Sequence, residues 1–464
     1  MMKAVLLIDF GSTYTKLTAV DLDSETILAT SQSYTTVETD INDGLMNGLK
    51  LLEQNAGELA FADTFACSSA AGGLKMMVSG LVPELTSEAA KLASLGAGAK
   101  VAKVYSFELT DEDIDEIRKA EPDIFLLVGG TDGGNSECIL HNAGMLAKLD
   151  RSFPIVIAGN RTVASKCADM LSPHETFVCE NVMPKFGVLK IDQTQKTIRD
   201  IFLRKIVQAK GLTQASSLLS DIMMPTPSAV LASMELLAKG TGTEKGIGDL
   251  IAVDVGGATT DVYSMADGKP TRMNTVCKGL PEPYAKRTVE GDIGMRYGIH
   301  GIAEAVGIER IADLSGLTEE RACELIDFLS AHTDVVPGGD AELEALDYAL
   351  ASMAIETAVS RHAGTIQETY TMCGQTFVQE GKDLTSVRQV LVTGGSLIHT
   401  KCTEEIAKHA LYSPAASDSL RPIKADISVD RNYIIASMGL LSQHYPDTAL
   451  RIMKKELETY ESAE

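Results

Sequence analysis

An apolar run from Ala4 to Ile8 meets Asp9 and a tight polar turn, and apolar and polar positions then alternate from Leu17 to Asp21. Alternation of period two predicts a half-buried strand. Asp23-Ser24 predicts a turn, and residues 25–32 a third strand. The same order returns in the second half. Residues 262–265 alternate, Asp267-Gly268 turns, and 269–276 predicts the third strand. Each half is therefore expected to open on a three-stranded antiparallel meander.

Between the meanders the period changes. Residues 101–109 predict a strand, 111–120 an amphipathic helix with a Thr/Asp start, and 124–128 a fully apolar strand ending in Gly129-Gly130-Thr131-Asp132-Gly133-Gly134-Asn135. A helix over 136–149, a strand over 154–158 and a short strand over 176–179 follow. Strands alternating with helices imply parallel βαβ units, here an inserted α/β subdomain over about 85–215 of a first lobe spanning 1–245. Gly240–Gly246 reads as a linker, and 246–464 as the second lobe. Two predicted helices, 227–239 and 431–443, carry similar sequences, Ala232-Ser233-Met234-Glu235-Leu236-Leu237 and Ala436-Ser437-Met438-Gly439-Leu440-Leu441. Their small Ala and Ser positions suit a close helix crossing.

The chemistry concentrates in the turns of the meanders. Ile8-Asp9-Phe10-Gly11-Ser12-Thr13-Tyr14-Thr15-Lys16 aligns without a gap on Val253-Asp254-Val255-Gly256-Gly257-Ala258-Thr259-Thr260-Asp261. A loop of small residues presents backbone N–H groups to a phosphate, and an aspartate offers hard oxygens to Mg²⁺ or its waters. Gly11, Ser12, Thr13 and Lys16 are candidate phosphate contacts in the first copy, and Gly256, Gly257 and Thr259 in the second. Two facing copies would hold a triphosphate and its metal from both sides. A third loop, Thr393-Gly394-Gly395-Ser396 after an apolar strand, would let a nucleobase and ribose lie against the backbone. Glu290 and Asp292, in a Gly-rich turn, are further candidates for the metal's surroundings, or Asp292 caps a helix. Gly129–Asn135 is either another anion loop or the tight turn of a βα unit.

Composition narrows the class. With 464 residues, 45% hydrophobic and 23% charged, the chain is a globular protein of more than one domain. A net charge of −23 argues against nucleic acid and anionic membranes as partners. No apolar run reaches the roughly 18 residues of a membrane span, and Asp9 interrupts the first apolar run too early for a secretory signal, so a cytoplasmic location is expected. Eight scattered cysteines without a CxxC, and eight histidines without HxH or HxxxH spacing, predict reduced, mostly buried thiols and no zinc or iron–sulfur cage. His399 is expected to be structural.

These motifs in this order resemble the actin/sugar-kinase/Hsp70 ATPase superfamily, over nearly the whole chain. Within it, Ser68-Ser69-Ala70-Ala71-Gly72-Gly73-Leu74, Val128–Asn135 and Arg287-Thr288-Val289-Glu290-Gly291-Asp292-Ile293-Gly294-Met295-Arg296 are similar to glutamate mutase accessory proteins of the MutL/GlmL type. The resemblance implies two ribonuclease-H-like domains facing an ATP cleft. It implies Asp9 and Asp254 at the water shell of Mg²⁺, one of them orienting the attacking water, and Gly394, Gly395 and Ser396 at the adenosine. Lys16 is matched by Asp261 in the second copy, so its role does not carry over to both. The implied function is an ATP-driven chaperone or reactivating factor whose partners are subunits of an adenosylcobalamin-dependent mutase; a homo-oligomer is left open. The absence of a DxHxxG motif implies that the chain does not carry cobalamin itself. A small-molecule kinase, a hydantoinase-like hydrolase and a nucleotide-holding scaffold share parts of the pattern. The lack of Trp and the 5% aromatic content speak against a sugar-stacking kinase.

Overall fold

A computed structural model describes residues 3–11, 14–34, 41–69, 74–150, 153–209, 221–372 and 374–460. The chain divides into two compact units, one of Met1–Ser233, Gly279–Pro281 and Ile435–Ile452, the other of Met234–Lys278, Glu282–Ile434 and Met453–Glu464. The division runs through a helix rather than through Gly240–Gly246. That stretch closes on itself as a turn, with a Gly240–Lys245 bridge and a Thr241 N–H bond to Glu244 O of 2.7 Å.

The first unit opens on β1 (Ala4–Phe10), buried along its whole length, β2 (Tyr14–Asp21) and β3 (Thr26–Tyr34), the expected meander. Helix α1 (Ile41–Ala56) leads to β4 (Phe61–Ser68), which lies parallel to β1. The inserted subdomain follows: β5 (Lys75–Gly80), α2 (Glu88–Gly96), β6 (Lys100–Ser106), α3 (Asp111–Ala120), β7 (Ile124–Leu127), α4 (Glu137–Leu146), β8 (Ile155–Ile157), α5 (Ala164–Met170), β9 (Thr176–Val178) and α6 (Asp192–Ala209). Its five strands are all parallel, in the order β6-β5-β7-β8-β9, so the chain winds in both directions from β5. Helix α3 starts where the sequence predicts, because Thr110 and Asp113 cap each other reciprocally. Strand β10 (Asp221–Pro225) then pairs with β4, and α7 (Thr226–Lys239) carries the chain out of the first unit.

The second unit repeats the plan with β11 (Leu250–Val255), β12 (Thr260–Met265), β13 (Thr275–Lys278) and β14 (Ala285–Glu290). Helices α8 (Ile299–Val306), α9 (Ile308–Ser315), α10 (Glu319–Ala331) and α11 (Ala341–His362) precede the hairpin β15 (Thr365–Thr371) and β16 (Gly374–Glu380). Strand β17 (Gln389–Thr393), α12 (Gly395–Ile398), α13 (Thr403–Ala407) and β18 (Asp426–Val429) complete its core. Helix α14 (Ile435–Leu441) belongs to the first unit, where it packs on β1 and β4. Helix α15 (Pro446–Glu456) and β19 (Glu458–Tyr460) end the described chain.

The main sheets read β3-β2-β1-β4-β10 and β14-β12-β11-β17-β18-β19. In both, the first three strands are antiparallel neighbours and the next two run parallel to the central one. The duplication seen in nine residues thus extends to five strands of the main sheet in each unit. One expectation fails. The third strand of the second copy is β14, and most of the predicted 269–276 strand is irregular. Thr275 onward turns away into β13, which pairs with β16 in a separate sheet of three.

The similar helices α7 and α14 do cross closely within the first unit. A Cβ on Gly439 would lie 2.0 Å from Ala229 O, so only glycine fits. The Ser233 hydroxyl donates to Ile435 O, and Ser437 bonds Thr18 on β2 at 3.1 Å.

Candidate functional site

Asp9 is the sixth residue of buried β1, opposite Lys16 on β2 and Cys67 on β4. It is 5% exposed. A buried carboxylate is tolerated only with hydrogen-bond partners. The Thr226 hydroxyl donates to Asp9 Oδ1 at 2.6 Å, and the Cys67 thiol approaches the same oxygen at 3.4 Å. Burial, and then the charge of Asp9, push the Cys67 thiol well above its ordinary range, so it stays an S–H donor.

Asp254 holds the equivalent place on β11, opposite Asp261 on β12 and Thr393 on β17. The two turns close identically. The Gly11 N–H donates to Tyr14 O at 3.1 Å and the Gly256 N–H to Thr259 O at 2.9 Å. A Cβ on Gly11 would lie 2.5 Å from Tyr14 O, and one on Gly256 2.9 Å from Thr259 O. Both glycine amides are therefore spent on the turn itself, so any N–H that the loop presents to a phosphate comes from its other residues. Gly257 lies on the exposed rim of the second loop, with Thr259 half-buried beside it. Ser12 and Thr13 lie outside the described residues, as do Ala70 to Gly73 of the Ser68–Leu74 stretch and Cys373.

The third loop joins the second inside one unit. A Cβ on Gly394 (φ +115°) would stand 2.3 Å from Val255 O, so β17 ends directly against the backbone that follows Asp254. Gly395 is exposed, Ser396 is half-buried, and the Tyr433 hydroxyl lies 3.5 Å from where a Cβ on Gly395 would be. Burial first, and then the charges of Asp254 and Asp430, push the Tyr433 phenol up.

The Arg287–Arg296 stretch wraps the second loop. Met295 N–H donates to Gly256 O at 3.0 Å, and the Arg296 and Tyr297 N–H groups donate to Gly257 O at 2.8 Å. Gly294 fits because a Cβ there would meet Ala258 at 2.4 Å. Arg296 is anchored by a bidentate pair with Asp347, 3.0 Å on each arm, and buried Arg287 holds half-buried Asp261 at 2.8 Å. Glu290 and Asp292 share the Arg361 guanidinium at 2.8 and 3.0 Å. Asp292 caps no helix, since α8 begins at Ile299 with Gly298 before it. Lys16, on the matching position of the first copy, is half-buried.

Gly129–Asn135 is a tight turn, not an amide cradle. The Gly133 N–H bonds Asn160 Oδ1 at 3.1 Å and the Asp132 N–H bonds Pro184 O at 3.0 Å. Asn160 and Asn181 side chains tie down the carbonyls of Gly134, Asn135 and Gly130. The seven described cysteines are free. Cys67, Cys138, Cys167 and Cys179 are buried as expected, but Cys277, Cys323 and Cys402 are exposed.

Sequence reasoning missed Thr226, Cys67 and Tyr433. Thr226 is 217 residues from Asp9, and only the β4–β10 pairing brings it there. The one available signal was that Pro225-Thr226 opens a helix.

Among solved structures, the chain is similar to a nucleotide-free acetone carboxylase (13% identity, TM-score 0.42, 95% of this chain and 70% of that one). It is also similar to gluconate kinase from Lactobacillus acidophilus (10%, TM-score 0.37, 99% and 93%) and Plasmodium falciparum glycerol kinase with ADP (11%, TM-score 0.35, 99% and 94%). The family described as MutL protein matches residues 5–457. Protein MutL of Clostridium tetanomorphum is 48% identical over 463 residues, 98% of this chain and 99% of that protein. The chain belongs to the MutL protein family. Both turns, the third loop and the Arg287–Arg296 wrap fall inside the residues that the MutL family matches. Among the described residues no helix is long and apolar enough to cross a membrane.

Proposed function

We propose that this chain is a Mg²⁺-dependent ATPase that reactivates an adenosylcobalamin-dependent mutase, glutamate mutase or a related aminomutase. The observation that carries the nucleotide half of this reading is the meeting, within the second unit, of Asp254, the Gly256–Thr259 turn and the Gly394-Gly395-Ser396 turn. A carboxylate and two small-residue turns at the ends of adjacent parallel strands suit a phosphate tail and the adenosine it carries. The first unit carries the matching Asp9 turn.

The donor set fits a hard cation. Asp9 and Asp254 each offer carboxylate oxygens, and Mg²⁺ is bound through one or two carboxylates with waters and phosphate oxygens completing its shell. When bound, Mg²⁺ neutralises charge on the phosphate oxygens. Asp9 and Asp254 are the residues that would hold it through its waters, and one of them would orient the attacking water. The rim of Gly257 and the hydroxyl of Thr259 face the phosphate, because the Gly11 and Gly256 amides are committed to their turns. Lys16 offsets charge in the first copy alone. The mutase half of the reading is supported by family membership and by the residues resembling glutamate mutase accessory proteins.

The test is single-turnover ATP hydrolysis by wild type, Asp9→Ala and Asp254→Ala, with and without a cobalamin mutase inactivated by hydroxocobalamin, and with a panel of small acceptors. Hydrolysis that needs both aspartates and restores the mutase is expected. Unimpaired hydrolysis in both variants would refute the site, and phosphate transfer to an acceptor would favour a kinase.

A further inference from the structure

We propose that Thr226 is a positioning residue for Asp9, fixing the carboxylate that serves the nucleotide's metal; the inference rests on the nucleotide reading above. Asp9 Oδ1 takes its hydrogen bond from the Thr226 hydroxyl at 2.6 Å, with the Cys67 thiol 3.4 Å from the same oxygen and 3.6 Å from Thr226. The three come from three places in the sequence and one place in the sheet. Cys67 stands opposite Asp9 in the β1–β4 register, and Pro225, just before Thr226, stands opposite Ser68 in the β4–β10 register.

The donor is itself held. Two residues into α7, the Ser228 hydroxyl donates to Ala97 O at 2.9 Å. A Cβ on Gly98 would come within 2.7 Å of Ser228 Oγ and 3.1 Å of Pro225 Cβ, so the start of α7 is packed without slack. An oxygen that accepts a short bond from a fixed hydroxyl cannot rotate freely, and ligands oriented in this way bind metals more tightly than free ones. Thr226 is also the first residue of the helix that leaves the first unit and continues into the second. The carboxylate at the metal and the chain's exit from its unit are therefore joined by one hydrogen bond.

The experiment compares wild type, Thr226→Ser, Thr226→Ala, Thr226→Val and Asp9→Ala in the full chain. Mn²⁺ binding is followed by electron paramagnetic resonance with a non-hydrolysable ATP analogue, and Mg²⁺ dependence by ATP turnover. Removing a group that orients a metal ligand typically costs 10–100-fold in affinity, so Ala and Val are expected to weaken Mn²⁺ binding about tenfold, while Ser stays within about twofold. The Ser/Ala pair differs only in the hydroxyl, so it decides the matter even if Val lowers the melting temperature. Equal Mn²⁺ affinity in Ser and Ala overturns the inference. If Asp9→Ala keeps wild-type Mn²⁺ binding and turnover, the nucleotide reading falls and this inference with it. If Asp9→Ala loses both while Thr226→Ala does not, only the inference falls.

Discussion

The two meanders share a backbone and differ in their surroundings. Gly11 and Gly256 close the same turn with the same bond, and Asp9 and Asp254 occupy the same register. Seven positions after each aspartate the copies part. Lys16 faces Gln32 across to β3, whereas Asp261, half-buried like Lys16, holds the buried Arg287 on β14. The aspartates differ too: Asp9 is gripped by Thr226 and Cys67, while Asp254 lies near the Tyr433 phenol beside the third loop. The turn is constrained by backbone geometry and tolerates little change. The flanking side chains answer to the partners beside them, and each unit has solved that differently.

The largest effect should come from the shared positions. Asp9→Ala and Asp254→Ala are each expected to lower single-turnover ATP hydrolysis by about 10²–10³-fold, the usual cost of removing one preorganised electrostatic group. Equal losses would make the copies functionally equivalent. A loss confined to one would assign the water-orienting role to that copy.

The comparison also marks what the sequence could and could not disclose. Strand–Asp–turn–strand is a local pattern of periodicity and turn residues, so the meanders, α3 and the apolar strands of the insert were legible in it. The third strand of the second copy was not. Residues 269–276 have strand-compatible content, but the 2.7 Å bond from the Thr271 hydroxyl to Asp383 and the Phe377 N–H bond to Asn274 O draw the segment to another sheet. Those partners are more than a hundred residues away in the sequence. Thr226 escaped for the same reason.

The next effect concerns the diverged position. Asp261 and Arg287 are paired with side chains 15% and 4% exposed. Breaking a buried pair leaves an uncompensated charge, so Arg287→Met is expected to destabilise the protein by about 3–5 kcal/mol. Asp261→Leu with Arg287→Met should recover most of that in urea unfolding. Lys16→Met should shift the midpoint far less, which would show that charge at this position carries structure only in the second copy.

The glycines separate folding from ligand contact. Gly394→Ala places a Cβ 2.3 Å from Val255 O at a φ of +115°, and is expected to cost about 2–3 kcal/mol. Gly257→Ala meets nothing closer than the Tyr297 ring at 4.0 Å, so its unfolding midpoint should barely move. If its affinity for ATP nonetheless falls, measured by calorimetry, the second loop touches the phosphate through its backbone. Unchanged affinity would remove Gly257 from the site.

The smallest effect tests why the second copy diverts its chain between β12 and β14. The irregular segment after β12 packs on Lys382, whose Nζ donates to Tyr284 O at 2.7 Å and to Ser264 Oγ at 3.2 Å. A Cβ on Gly268 would strike the Lys382 side chain at 2.5 Å. Burial above all, partly offset by Glu282, lowers the pKa of the Lys382 amine to about 7. Above that value the folded protein holds the amine neutral while the unfolded chain still binds a proton, up to its ordinary value near 10.5. Stability linked to this group therefore rises with pH over that window. A tenfold difference in proton affinity between the folded and unfolded chain is worth about 1.4 kcal/mol, so wild type should gain about 1–2 kcal/mol on Lys382→Met between pH 7 and 9 in urea unfolding. The first copy turns tightly between β2 and β3 and has no such lysine at that turn, so replacing its half-buried strand lysine, Lys16→Met, should leave the pH slope unchanged. A flat difference between wild type and Lys382→Met would mean that the amine stays charged in the fold, and that the diverted segment is held by its backbone bonds alone.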